Sequence, residues 1–207
     1  MKMSQTPRRT PNSNSPGFAP VKLHQSPIAS PNSQKNLTGV PRVVRDLAAD
    51  LYNNVQKWNN LHIRGAQLCK QIAICKTDKP FEYSPELETL TNDLYECVDE
   101  LKPIKEAFEM IIKQAEAMKK LQKTPEPVFF GHKMEGLVEM VHYVANAYVT
   151  EYSVKQTVLE NIAHTQSKDE VMFFATFWTL QTNVDDKVTL KLESLLTETC
   201  HRTIDQT

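Results

Sequence analysis

Two Glu-x-x-His pairs, Glu139-Met-Val-His142 and Glu198-Thr-Cys-His201, come nearest in this chain to the residue types and spacing of a reactive centre. Three residues apart on a helix, such a Glu and His share a face. In ferritin-like di-metal enzymes two such pairs point inward and two further helices each add one Glu. A metalloenzyme is therefore one alternative that the sequence raises. The other ligands are missing, because no Glu precedes Glu82 and those from Glu86 to Glu116 fall at b, c, f or g of their helix. Ordinary exposed helix-face pairs are the simpler reading. His62, His132 and His164 adjoin no Ser or Cys in a recognisable nucleophile motif, and no G-x-x-x-x-G-K stretch is present to cradle a phosphate. Zinc is equally unsupported. The chain is read as no enzyme, with no catalytic residue, metal site or cofactor.

The elements that would have to position any site are helical. A chain of 207 residues with 40% hydrophobic content can bury one core, and only 5 glycines argue against an all-β design. From Val44 a heptad places Val44, Leu51, Trp58 and Ile72 at a, with Leu47, Leu61, Leu68 and Cys75 at d; Gly65 and Asn54 break it. The stretch "KTDKPFEYS" interrupts, and Ser84-Pro85-Glu86 supplies an N-cap, a first-turn proline and an early acid. A second seam has Leu87, Leu94, Leu101, Phe108 and Ala115 at a, and Leu90, Cys97, Ile104, Ile111 and Met118 at d. Pro103 sits at c, off that seam.

Equal helices with a short connector predict an antiparallel hairpin. The expected fold is all-α: a disordered tail over 1–41, a long antiparallel coiled-coil-like helical hairpin over 42–122 with helices at about 44–75 and 85–122, a Pro-rich loop at 123–133, and a C-terminal three-helix segment over 134–207. Two helices alone leave flanks such as Ile112 and Leu121 uncovered, which makes them candidates for a partner. "VMFFATFWTLQ" is too apolar to stand in water alone, so Phe174, Phe177 and Trp178 are further candidate anchors.

The net charge of -1 hides an asymmetry. Residues 1–45 carry Lys2, Arg8, Arg9, Lys22, Lys35, Arg42 and Arg45 and no acid, whereas all 25 acidic residues follow. Such a basic arm raises nucleic-acid binding as a second alternative, but it lacks interleaved aromatics beyond Phe18, and no direct nucleic-acid binding is expected. Its prolines forbid the amphipathic helix of a transit peptide. Five Ser/Thr-Pro dipeptides, at Thr6, Thr10, Ser15, Ser26 and Ser30, are candidate phosphorylation sites, and Thr6-Pro7-Arg8-Arg9 alone adds the basic residue preferred by cyclin-dependent kinases. Arg45-Asp46-Leu47 fits a cyclin-docking R-x-L pattern, although Leu47 is a seam residue. Cys69, Cys75, Cys97 and Cys200 form no C-x-x-C pair and read as reduced thiols of a nuclear or cytosolic protein. No signal peptide or bilayer-length apolar run is found, so no membrane partner is expected.

Four stretches, "RDLAADLYNNVQKWNNL", "YSPELETLTNDL", "KQTVLENIAHT" and "KLESLLTETCHR", resemble in the same order the helices of the cyclin-dependent kinase 2-interacting protein family. The likeness covers roughly 42–203, and Trp58, His164, Leu192, Glu193, Glu198, His201 and Arg202 are among its most specific points. The chain departs from that pattern in its longer tail, a shorter connector, no Trp-Pro before the third helix, and Cys200 where a glycine is usual. The resemblance implies a non-enzymatic subunit. Implied partners are cyclin-dependent kinase 2-like and origin-firing kinases, the checkpoint kinase's partner protein, and a second small helical subunit on an AAA ATPase hexamer. The implied roles are large-ribosomal-particle maturation, DNA replication and genome maintenance. The expected location is the nucleus, with a cytoplasmic pool.

Overall fold

The computed structural model describes residues 37–78, 84–121, 126–129 and 131–202. These form α1 (Val40–Asp78), α2 (Pro85–Leu121), α3 (Met134–Ile162), α4 (Lys168–Leu180) and α5 (Asp186–Glu198). No strand occurs among the described residues. Starts follow the expected chemistry. Ser84 Oγ accepts from the Leu87 amide at 3.1 Å, Ser167 accepts from Glu170, and Asp185 accepts from Val188. Pro103 lies inside a continuous α2 with its ring exposed.

The ends of the helices fix the topology. Lys76 near the end of α1 donates to the Ala163 carbonyl just past α3, so α1 and α3 run the same way. His201, just past α5, meets the carbonyl of Arg45 near the start of α1. The chain from α4 to α5 therefore returns antiparallel to α1 and α3, and the two short helices together form one broken fourth helix. α2 packs on both α1 and α3, while α4 and α5 close the opposite side against the same two helices. The hairpin read from the sequence is thus half of an up-down-up-down bundle.

At its centre Trp58 of α1, Phe108 of α2 and Tyr148 of α3 meet with ring centroids 5.0 to 6.4 Å apart. All three rings are buried. Burial pushes the Tyr148 phenol up to about 12. The second seam is buried at every a and d position except Leu90, which is half-buried. The first seam drifts. Leu61 and Cys75 at d are only half-buried, whereas Cys69, Ala73 and Lys76 are buried in their place. A straight helix rotates about 20° per heptad against a 3.5-residue repeat, and α4 adds a second neighbour that a strict two-helix seam lacks.

α5 ends in two left-over amides satisfied backwards. His201 N–H donates to Leu196 O at 2.8 Å and Cys200 N–H to Thr197 O at 3.0 Å, with Cys200 at φ 58°. This is a Schellman cap, whose left-handed position favours glycine. A side chain there costs about 1–2 kcal/mol. We expect Cys200→Gly to stabilise the fold by about 1 kcal/mol and to raise the melting temperature by about 2–4 °C. Thermal unfolding followed by circular dichroism checks this, and an unchanged or lower midpoint counts against the strain.

Candidate functional site

The two Glu-x-x-His pairs do not converge. His142 Nε2 lies 3.0 Å from Glu116 on α2, while Glu139 faces Lys191 of α5 at 3.7 Å. Glu198 accepts from the Gly131 amide at 3.3 Å and sits 3.0 Å from His132 Nδ1; His201 turns to α1 instead. Each side chain ties one element to another. No group of three or more His, Cys, Asp or Glu that could hold a metal occurs among the described residues.

The densest polar chemistry lies where α3 meets α4, and it was not singled out in the sequence. Glu151 and Lys155, one turn apart, form a fully buried ion pair at 2.9 Å. Lys155 Nζ also donates to the Trp178 carbonyl at 2.6 Å and lies 4.7 Å from that indole's centroid. Glu151 Oε2 accepts from both the backbone and side-chain nitrogens of Asn183. Burial pulls the Lys155 ammonium below the usual lysine range, and the Glu151 charge works against that pull. The carbonyl of Trp178 and the amide of Asn183 are polar groups left over where α4 stops, so the pair satisfies the break in the fourth helix. The available sequence signal was an opposite-charge i,i+4 pair embedded between Tyr148, Tyr152 and Val158 on an otherwise apolar face.

Trp178 is held from the other side by α1. Its Nε1 donates to the His62 carbonyl at 3.0 Å, and a Cβ on Gly65 would stand 2.1 Å from its ring. Gly65, a gap in the heptad, is the notch that admits the indole. Trp58 Nε1 reaches Gln181 Oε1 at 2.8 Å, fixing the left-handed residue that ends α4. Trp178 is consequently not a partner anchor; it is buried inside the chain, which corrects the sequence expectation. His62 is pushed down to about 4, first by burial and then by the Lys155 charge. Burial raises the thiols of Cys69 to about 12 and Cys97 to about 11.

A third cluster gathers at the opposite end. Arg202 pairs with Glu193 at 3.1 Å and stacks over Tyr52 of α1, beside the His201 contact to Arg45. Leu192 is buried on the inner face of α5. These residues, with Glu198, fasten the last turn of α5 to α1 and to the loop before α3. His164 stands apart in the exposed turn after α3.

Trp58, Glu193, Glu198, His201 and Arg202 therefore hold this particular arrangement of helices. The chain is 28% identical to the cyclin-dependent kinase 2-interacting protein of Homo sapiens, over 79% of this chain and 91% of that protein. It is 27% identical to the Bos taurus protein of that name over the same shares, and 27% to the Xenopus laevis one over 81% and 93%. Four proteins of that name, 24% to 28% identical, support this chain's membership of the cyclin-dependent kinase 2-interacting protein family. No protein-family model matches it.

The helix packing leaves few of the apolar side chains singled out in the sequence on the surface. Ile112 is half-buried and packs against the core; it is not the open flank that the hairpin suggested. Leu121 at the end of α2 is 73% exposed. Phe174 and Phe177 are half-buried, and Phe173, overlooked in the sequence, is 58% exposed and stacks on Phe177 at 5.4 Å. Leu47 of the R-x-L pattern is buried. The five Ser/Thr-Pro sites lie outside the described residues.

Proposed function

We propose that this protein is a non-enzymatic helical adaptor that binds a cyclin-dependent kinase 2-like kinase. The observation that carries the reading is its likeness, over 79% to 81% of its length, to four proteins named for that interaction. The buried ionisable groups add support, since Glu151, Lys155 and Lys76 are each occupied in joining helices rather than facing a cleft. Biolayer interferometry with purified kinase, alone and with its cyclin, tests it. Saturable binding is expected. No binding at kinase concentrations on the order of 10 μM would sink the kinase reading.

The finer reading adds the origin-firing kinase, the checkpoint kinase's partner protein, and a second small helical subunit on an AAA ATPase. It places the protein in the nucleus, with a cytoplasmic pool, in large-ribosomal-particle maturation and in DNA replication. Its support is the ordered resemblance of the four helical stretches. Affinity purification with mass spectrometry is the direct check. Recovery of the kinase without any ATPase or small helical protein would remove this part and leave the first.

A further inference from the structure

The outer faces of α1 and α4 run antiparallel and leave a groove of about 860 Å³ between them. Its walls are Ile63, Ala66 and Ile74 of α1 and Met172, Ala175 and Leu180 of α4. Ile63, Ile74, Met172 and Leu180 are each more than half exposed. We propose that this groove takes about three turns of an amphipathic helix from a partner chain, carrying an apolar stripe flanked by acidic residues. This deepens the adaptor reading and rests on it.

Length, shape and charge select that occupant. Ile63 to Ile74 spans about 17 Å at 1.5 Å per residue, or about three turns. The alanines on the walls let another helix come close, and no sheet edge among the described residues offers a place for an added strand. Lys70 lines the groove, and no carboxylate does. α1 has no Asp or Glu between Asp50 and Asp78, and residues 171–184 carry no charge at all. The acids of α4's first turn, Asp169 and Glu170, do not line it, and Glu170 is taken by the Thr165 hydroxyl. His62 adds a buried Nδ1 with no hydrogen-bond partner among the described residues. A two-fold dimer through this face would set Lys70 against an equally acid-free surface. The chain's own arm is no better suited, since residues 1–36 carry Lys2, Arg8, Arg9, Lys22 and Lys35 without an acid.

The test uses the full chain and two stapled, fluorescein-labelled helical peptides with the same leucine stripe, one flanked by Glu and one by Lys. Fluorescence anisotropy should show the Glu peptide binding at least about tenfold tighter. Ile74→Asp should weaken that binding about tenfold or more, and Lys70→Glu should reverse the preference. Both positions are exposed, so melting curves should match the parent protein. Equal affinity for the two peptides, or full binding by Ile74→Asp, would overturn the proposal. So would a concentration-dependent dimer, seen by sedimentation, that Ile74→Asp dissolves. Protein that captures the kinase but binds neither peptide overturns the groove alone. Protein that binds the Glu peptide but not the kinase supports the groove and counts only against the kinase reading.

Discussion

Replacing Lys155 with methionine should remove about 3–5 kcal/mol of folding stability, because it strands the Glu151 carboxylate in the interior without its counter-charge. Methionine keeps most of the packing volume, so the loss reports charge rather than a cavity. Glu151 retains the two Asn183 donors, but the Trp178 carbonyl loses the lysine that satisfied it. The double variant Glu151→Gln with Lys155→Met should recover half or more of the loss, since glutamine still accepts from Asn183 and no charge stays buried. Urea unfolding of the parent, the single variant and the double variant measures this. A single variant within about 0.5 kcal/mol of the parent would mean that water reaches the pair.

The second large effect is expected at Trp178. Trp178→Ala should cost about 3–5 kcal/mol through an emptied notch over Gly65 and a lost bond to the His62 carbonyl. Phe173→Ala, on the exposed side of the same helix, should stay within about 0.5 kcal/mol. The pair of variants separates the two roles that one aromatic segment can play. A Trp178→Ala protein with unchanged unfolding and a lost partner would restore it as a docking residue and contradict its burial.

The sequence made the helices and the α2 seam legible because both depend on neighbours three and four residues away. Ser84, Pro103 and the a and d residues of α2 needed no knowledge of the rest of the chain. What it concealed depended on pairs far apart. Gly65 reads as a defect until Trp178 fills it from 113 residues away, and Ile112 reads as open until the whole core is assembled against it. Glu151 and Lys155 resemble any surface pair, since i,i+4 spacing does not show that α4 closes above them. Cys200 carries no local signal of its positive φ, because the left-handed cap that glycine would suit is set by the end of α5.

The break in the fourth helix has a consequence for how the molecule opens. α4 and α5 are each 13 residues long, too short to persist as isolated helices in water, and no helical ladder of hydrogen bonds runs across residues 181–185 to join them. Each half lasts only as long as its own fastening: the Trp178 notch and Lys155 for α4, the capped end and the His201 and Arg202 contacts for α5. Native-state hydrogen exchange should therefore resolve them as two cooperative units with separate opening free energies, distinct from the slower amides of α1 to α3. A protein built this way can loosen one face of its bundle while the other three helices and the second half of the fourth stay protected.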